Sequence, residues 1–363
     1  MIARVSQAAT YSGWSDRLRV TPAPTVTDLV REYRGISGAC ALLNSNSVAN
    51  TPFGLFRGED NESPEVEAHP FLDTLHKPNP HMGTKLLWKT TQLYLETCGE
   101  AYWRIVSGVL NPCVEIWPLQ PQLTDPIMGI DNQITGWTYD KQQLSLDEVV
   151  PFYCTDPLNP YGGGKGPAEL AWSEIVLMNS DTAMMTALMQ NGGAPGYVMS
   201  PKDSQGVVSQ SLLVRLYAAW DTFKGKGSKK LMIPEVPVDI QTLAQTSKEF
   251  EGSARYEQLK SVIMACYNIP SALFASAGTR AELDAALVQH ARLAIDPRTA
   301  LLEDVVNRKV MALYDDKINL FFEQNLLEDQ SAQPVDEQGL PTGPNPSGRT
   351  RMNQGADNAN AAA

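Results

Sequence analysis

The stretch that decides the fold runs from Gly162 to Tyr314 and opens with GGGKGPAEL, residues 162–170. Proline is favoured at the first position of a helix, so this glycine-rich loop predicts a helix from Pro167 to about Gln190. A second helix is predicted over Ser247–Ile269, with its apolar residues on one face. Between the two helices lies an insert, Ala194–Thr246. The order helix, insert, helix organises the rest of the chain.

A third and much longer helix is predicted to follow. It begins with the capping box Thr279-Arg280-Ala281-Glu282, in which the first and last side chains satisfy backbone amides of the first turn. The helical pattern continues, bent or broken at Pro297, to about Phe322. At 1.5 Å per residue this helix would be roughly 60 Å long. A helix of that length favours a scaffold role in an assembly.

The insert is predicted to be a small α/β module. Strand-like pieces at Gly196–Met199 and Leu231–Ile233 surround an amphipathic helix over Ser209–Phe223. A basic cluster follows that helix and consists of Lys224, Lys226, Lys229 and Lys230. Lysines on a glycine-containing loop suit contact with phosphate or with an acidic partner. The alternative is a loop that only keeps the protein soluble.

The part of the chain before Gly162 predicts a mixed region of helix and sheet. Residues 1–26 are expected to be an irregular arm, and Thr27 is expected to cap a helix over Asp28–Ala49. Another amphipathic helix is expected over Thr84–Thr97. Aromatic and β-branched segments predict strands at Pro52–Phe56, Gly99–Val106, Val114–Leu119, Thr135–Tyr139 and the end of Ser145–Tyr153. Residues 329–363 are rich in Pro, Gly, Asn, Gln and Ala and are predicted to be disordered. The fold class is therefore α+β.

Composition narrows the possible functions. The chain has 363 residues, is 43% hydrophobic and 19% charged, and carries a net charge of −12. This charge disfavours a protein that grips nucleic acid over its whole surface, since such proteins need clustered Lys and Arg. Its five cysteines are scattered, which predicts free thiols in a reducing compartment. The most apolar helix, Leu170–Met189, carries Glu174 and Asp181, so no membrane span is expected.

Two sequence features invite an enzymatic interpretation. The loop Gly162–Gly166 precedes a helix as a phosphate-binding loop would, but Gly166 follows Lys165 where such a loop needs Ser or Thr. A hinge into the first helix is the simpler explanation. His69, His76 and His81 lie close in sequence, but neighbouring prolines place them in loops, and their spacing fits no metal-binding helix. We expect no cofactor, no metal and no catalysis, and His290 is expected to be an ordinary residue on a helix face.

The order and spacing of several short motifs are similar to those of a known family. These motifs are Asn50–Phe56, His69–Leu72, Lys77–Pro80, Gly99–Trp103, Ile116–Pro121, Tyr161–Leu170, Leu231–Ile233, Tyr267–Phe274 and Leu293–Pro297. Over about Asp28–Leu327 the chain resembles the portal proteins, or head-to-tail connectors, of tailed bacteriophages. One departure is Glu100, where many family members have Asn.

The resemblance implies a portal fold with an α/β wing, a two-helix stem, a small α/β clip insert and a long kinked helix. Residues 27–166 would be the first part of the wing, 167–193 and 247–269 the stem, and 194–246 the clip. Residues 270–278 would be the tunnel loop, and 279–328 the long helix returning to the wing. Few residues remain after that helix for the helical crown that some portal proteins carry.

The resemblance also implies a function in the virion. Portals are rings, typically of twelve subunits, at one capsid vertex. The terminase large subunit pumps double-stranded DNA through the ring without sequence specificity, and the DNA later leaves through it. The major capsid protein and head–tail connector proteins would be further partners, and assembly would take place in the host cytoplasm.

Two sets of residues are expected to meet DNA in such a channel. The first stem helix carries the acids Glu169, Glu174 and Asp181, which would repel phosphates and let DNA slide. The tunnel loop is small and uncharged and contains Ser271, Ala272, Leu273, Phe274, Ala275 and Ser276. Leu273 and Phe274 are expected at the constriction; the alternative is that they pack into the core of the wing.

Two other functions remain open from the sequence. One is a soluble hydrolase or transferase that uses the loop Gly162–Gly166 and the histidines. The other is a cellular helical adaptor. A ring near twelve times the chain mass would favour the portal interpretation.

Overall fold

The described chain opens with two short helices. The computed structural model describes residues 23–58, 63–109, 111–129, 133–159, 163–190, 197–201, 214, 238–242, 252–275, 278–314 and 317–323. The predicted single helix over Asp28–Ala49 is wrong, because α1 (Val26–Arg31) and α2 (Gly35–Asn50) are separate. Gly35 has a φ of +59°, which interrupts the helical backbone. The expected cap at Thr27 is also wrong. Thr25 caps α1, and its hydroxyl accepts from the Asp28 amide at 3.2 Å.

A three-stranded antiparallel sheet and the helix Thr84–Cys98 build the main core. Strands β2 (Glu100–Val106), β3 (Glu115–Leu119) and β7 (Val149–Tyr153) have the order β3-β2-β7. The predicted helix over Thr84–Thr97 is confirmed as α4 (Thr84–Cys98), and α3 (Pro70–His76) packs beside β3. The strands predicted at Gly99–Val106, Val114–Leu119 and the end of Ser145–Tyr153 are confirmed as β2, β3 and β7.

Large aromatic side chains fill this core. The Trp88 ring on α4 lies 5.2 Å from the Trp103 ring on β2, and Trp103 lies 4.8 Å from Phe152 on β7. The indole of Trp103 donates to the Thr91 hydroxyl at 2.7 Å, which satisfies its buried N–H.

A second antiparallel sheet lies beside the first one. It consists of β4 (Thr124–Met128), β5 (Ile134–Tyr139) and β6 (Gln142–Leu144) in that order. The β5–β6 connection places Asp140 and Lys141 at φ of 42° and 72°. Positive φ at both central residues is typical of a two-residue hairpin turn. The strand predicted at Thr135–Tyr139 is thereby confirmed, while β4 and β6 were not predicted.

The chain returns to its beginning through a last strand. The long helix does not reach Phe322 as predicted: its α-helical part ends at Lys309, a 3₁₀ turn follows over Met311–Leu313, and Asn319–Phe322 forms β10. β10 pairs antiparallel with β1 (Phe53–Phe56). Asn307 fixes this strand, because its amide accepts from the Leu320 N–H at 2.7 Å and donates to the Leu320 carbonyl at 2.9 Å. The burial of Leu320 and Phe322 favours the strand over a helix.

The helices predicted to form the stem, called the stem helices below, are α5 (Pro167–Leu170), α6 (Trp172–Gln190) and α7, which is described over Gly252–Cys266. The predicted first helix is therefore divided at Ala171, and Pro167 occupies its first turn as expected. The start predicted for the second helix, residues 247–251, lies outside the described residues.

Of the insert, only two paired strands and Val214 are described. They are β8 (Tyr197–Pro201), close to the predicted strand, and β9 (Val238–Thr242), which was not predicted. The helix predicted over Ser209–Phe223 and the strand predicted at Leu231–Ile233 lie outside this described part.

The third helix consists of three pieces. α8 (Arg280–His290) begins at Thr279 with the predicted capping box, a π-helical turn covers Ala291–Ile295, and α9 (Asp296–Lys309) follows. The backbone departs from the α-helix before Pro297, which lies in the first turn of α9. These 30 residues would span roughly 45 Å rather than 60 Å. Helix and sheet together confirm the α+β class. Among the described helices, none is both long and apolar enough to cross a bilayer.

Candidate functional site

The acids predicted for a channel lie on α5 and α6. Asp181 Oδ2 is 3.3 Å from Arg255 Nε on α7, and Glu169 Oε1 is 3.7 Å from Lys165 Nζ. Glu174 is half-buried. It contributes, after burial, to a raised pKa of the Cys266 thiol. Two of the three acids thus have a cation within 4 Å. Such pairs weaken the negative potential that each carboxylate projects.

The predicted tunnel loop is partly wound into a 3₁₀ turn over Ser271–Phe274. Leu273 and Phe274 are half-buried and pack against a core that α1, α2 and the stem helices share. Ala272 is also half-buried, whereas Ser271 and Ala275 are exposed. Ser276 lies outside the described residues.

A buried ion pair joins α4 to the long helix. The Glu96 side chain is 1% exposed and that of Arg298 is 13% exposed. Arg298 Nε donates to Glu96 Oε1, and its Nη2 donates to Oε2 at 3.2 Å. The two parallel bonds form a bidentate pair, the strongest geometry for arginine and carboxylate. Gln92, one turn earlier on α4, also donates to Glu96 Oε1 at 2.6 Å.

The same arginine reaches the helices on both sides of the 3₁₀ turn. Arg298 Nη2 donates to the Tyr267 carbonyl at 3.2 Å, and Nη1 donates to the Ala294 carbonyl at 2.7 Å. Tyr267 directly follows the last residue of α7, whereas Ala294 belongs to the π-helical turn. The arginine therefore ties both flanks of the turn to α4.

Asn44 on α2 completes this arrangement. Its amide donates to the Tyr267 carbonyl at 3.0 Å and to Glu96 Oε2 at 3.3 Å, and its oxygen lies 2.9 Å from His290 Nε2. Burial, and secondarily the charge of Arg298, lower the pKa of His290. We call Asn44, Glu96, Tyr267, His290 and Arg298 the junction cluster. It ties α2, α4 and the residue after α7 to the long helix.

The sequence analysis did not predict the junction cluster. The interpretation of His290 as an ordinary helix-face residue is wrong, since it is 5% exposed and hydrogen-bonded. One signal was present in the sequence: Gln92 and Glu96 stand four residues apart, next to the apolar residues Trp88 and Leu95 of α4. Polar residues at such positions need buried partners.

Comparison with known proteins identifies the family. A family model described as phage portal protein matches residues 38–334. The chain belongs to the phage portal protein family. Portal proteins are structural connectors of phage particles and not enzymes, and family membership gives this chain the connector role. No curated protein sequence matches the chain.

Several solved structures share the fold. One is a crystal structure of an HK97 family phage portal protein from Corynebacterium diphtheriae, whose sequence is 14% identical to this chain. The two structures match with a TM-score of 0.63 over 86% of this chain and 99% of that chain. The neck of an empty gene transfer agent particle, computed with C6 symmetry, is 20% identical with a TM-score of 0.61 and coverages of 84% and 86%. The neck of the native particle, computed with C12 symmetry, is 19% identical with a TM-score of 0.58 and coverages of 85% and 86%.

The glycine-rich loop of this portal protein has a packing role. Gly99, the αL cap of α4 at a φ of +75°, lies against the loop, and a Cβ atom there would be 2.6 Å from the Gly164 carbonyl oxygen. A Cβ atom on Gly166 would be 2.6 Å from the Leu95 carbonyl oxygen. Glycine is needed at these positions because two backbones approach closely. This contact explains the glycines without a bound phosphate.

The histidines and lysines are placed as follows. His69 Nδ1 accepts from the Phe71 amide at 3.2 Å and so caps α3, and the His81 ring lies 5.8 Å from that of Trp117. In the described ranges, no three His, Cys, Asp or Glu side chains form a group that could hold a metal ion. All five cysteines are free thiols, as predicted. The predicted basic cluster, Lys224, Lys226, Lys229 and Lys230, falls outside the described part of the chain.

Proposed function

We propose that the chain forms a ring of about twelve copies at one capsid vertex, through which double-stranded DNA is packaged and later ejected. The observation that carries this proposal is the family match over residues 38–334, which includes both stem helices, the 3₁₀ turn and the long helix. The C12 symmetry used for the gene transfer agent neck supports the subunit number. Assembly would take place in the host cytoplasm, and the ring would remain in the virion.

The surface of α6 supports a ring. From Thr182 to Gln190 the sequence has no charged residue, and the described side chains of this stretch are exposed. Met184 is 45% exposed and Met189 is 66% exposed. An exposed helix segment that lacks charge and is rich in Met and Ala is better stabilised when other chains cover it. Side-by-side packing in a closed ring provides that cover.

The channel surface would let DNA slide without holding it. A net charge of −12 and the acids on α5 and α6 repel phosphates, although ion pairs weaken two of those acids. We place the 3₁₀ turn and the residues after it at the narrowest part. Because Leu273 and Phe274 pack inward, the exposed Ser271 and Ala275 are the better candidates to face DNA. An uncharged surface gives DNA no cationic anchor.

The partners would be those of a DNA-packaging vertex. The terminase large subunit and the head–tail connector proteins would dock at the clip, and the major capsid protein would surround the wing. The lysines at 224, 226, 229 and 230 would contact DNA or the docked proteins as point charges.

Two measurements test this function. Native mass spectrometry of the purified protein should give a species near twelve times 39.7 kDa, and class averages should show a hollow ring. Monomers or dimers over a wide range of salt and concentration would contradict the proposal.

In a packaging assay with the cognate terminase, reversing the four lysines to Glu should reduce DNA uptake while rings still form. Lys141→Glu, in the exposed β5–β6 turn, is the matched control. Normal packaging by the reversed protein would leave those lysines a solubilising role only.

A further inference from the structure

A groove lies where the start of α2 meets the stem helices. Its volume is about 640 Å³, and α2, α6 and α7 all contribute to its walls. Most of the lining is apolar or small and includes Ile36, Ile175, Met178, Ala183 and Tyr256. A shallower cleft of about 480 Å³ continues along Met185 and Met189 and shares Thr182 and Thr186 with the groove. Together they form an apolar trough beside the last turns of α6.

A helix of the same chain extends beyond its own core. On α8, Ala286 and His290 are buried, whereas Leu283 and Leu287 are 45% and 43% exposed. Because residues three or four apart share a helix face, the two leucines continue the buried stripe toward the N-terminus of α8. There the single chain no longer covers that stripe. Leucines four residues apart are the usual anchors of a helix that binds in a groove.

We propose that α8 of one copy binds in this groove of the neighbouring copy, with Leu283 and Leu287 as anchors. The inference rests on the proposed ring and names the contact that closes it. A ring uses one heterologous interface, so each chain must present two different complementary surfaces. The exposed leucine stripe and the apolar groove are two such surfaces on one chain. Since both leucines are exposed, the groove of their own chain does not enclose them.

The charges at the two surfaces are complementary. Leu283 lies between the acids Glu282 and Asp284, and the one charged residue among those that line the described groove is Arg34. The Arg34 side chain stays 61% exposed although its Nε and Nη2 atoms pair with Glu32. Asp284 is 65% exposed and only loosely paired with Arg280, at 3.9 Å. An acid of α8 can therefore approach Arg34 of the next copy, which fixes the direction in which the helix enters.

Engineered disulfides test this contact in the full chain. In Thr182→Cys/Leu287→Cys, oxidation should link each copy to the next and give a ladder of covalent multimers that a reductant collapses. The matched control is Thr182→Cys/Leu146→Cys, because Leu146 is equally exposed (49%) but lies on the wing. Wild type and this control should give no ladder. The proposal is overturned if rings form without a ladder, if the control gives the same ladder, or if the disulfide forms within one chain.

A charge substitution gives an independent measurement. Leu287→Asp should raise the concentration needed for ring assembly at least about tenfold, the effect expected from losing one buried leucine at each contact. Leu146→Asp should leave that concentration unchanged, and circular dichroism should show that both variants are folded. Assembly of Leu287→Asp at the wild-type concentration would refute the contact while the ring stands. A wild-type chain that never forms rings would instead refute the proposed function and this contact with it.

Discussion

Replacing Arg298 by Ala should be among the most destabilising single substitutions in this protein. The side chain makes four hydrogen bonds: two to Glu96, one to the Tyr267 carbonyl and one to the Ala294 carbonyl. After the substitution Gln92 and Asn44 still donate to Glu96, but its buried carboxylate has lost its cation. Breaking one side of a buried pair costs about 3–5 kcal/mol, because the remaining charge stays desolvated. We expect a loss of unfolding free energy in that range.

Two comparison variants separate this effect from the loss of any arginine. Arg308→Ala removes an exposed pair with Asp304, whose side chains are 65% and 67% exposed. It should cost less than about 1 kcal/mol. The double variant Arg298→Met/Glu96→Leu removes both buried charges together. It should be less destabilised than Arg298→Ala alone, since no uncompensated charge remains.

Guanidinium unfolding at fixed protein concentration measures these free energies, and hydrogen exchange locates the change. Amide exchange should accelerate in residues 264–298, which contain both flanks of the 3₁₀ turn, while β2 and β7 stay protected. A loss below about 1 kcal/mol for Arg298→Ala would refute the reasoning. A double variant as unstable as the single one would refute the role assigned to the unpaired Glu96.

Two further predictions concern a glycine and a histidine. Gly99→Ala should destabilise the protein by more than about 2 kcal/mol, because Gly99 has a positive φ and a Cβ atom would overlap the Gly164 backbone. The control Gly83→Ala has open space around its Cβ atom and should change the denaturation midpoint little. Equal effects of the two substitutions would contradict the packing role of Gly99. The pKa of His290 is lowered in the folded protein, so the unfolding free energy should be highest above about pH 6.5 and should fall below that pH, where the unfolded chain binds a proton that the folded chain does not. This fall should disappear in His290→Gln and remain in the exposed control His76→Gln. An unchanged pH profile of the unfolding free energy in His290→Gln would refute the assignment.

Elements with strong local signals could be predicted from the sequence. The Thr279 capping box, Pro167 in the first helical turn and the helix end before Gly99 depend on neighbouring residues only. Their positions therefore agree with the structure to within a residue or two. Strands such as β2 and β7 were found because aromatic and β-branched residues concentrate there.

Elements that depend on distant partners were missed. β10 has four residues, and its strand conformation comes from pairing with Phe53–Phe56, more than 260 residues earlier. Without that partner the helical pattern of α9 seemed to continue through it. The start of α1 was missed for a local reason, because Thr25 and Thr27 both precede acceptable helices. Only the reciprocal bonds of Thr25 with Asp28 decide between them.

The candidate site was missed for the same physical reason as β10. Asn44, Glu96 and Arg298 lie on three different helices, and even the unusual position of Glu96 on the buried face of α4 does not name its partner. Their function as a unit arises when α2, α4 and α9 meet. By contrast, the resemblance to portal proteins could be recognised from short motifs, because those motifs lie mainly at turns and helix ends, where local rules apply.

The π-helical turn shows how a local irregularity and the junction cluster depend on each other. Pro297 has no amide to bond with the carbonyl of Leu293, four residues earlier, so an α-helix is disfavoured at that point. His290 and Arg298 are eight residues apart. At about 100° per residue, an unbroken α-helix would turn by about 800° between them, which is two full turns plus about 80°, so their side chains would point about 80° apart. A π turn absorbs one extra residue, so the eight residues span about 700° and the two side chains come within about 20° of one face. His290 can then reach Asn44 on α2, and Arg298 can reach Glu96 on α4. The proline that seems to break the long helix thus brings its two halves to the same buried cluster.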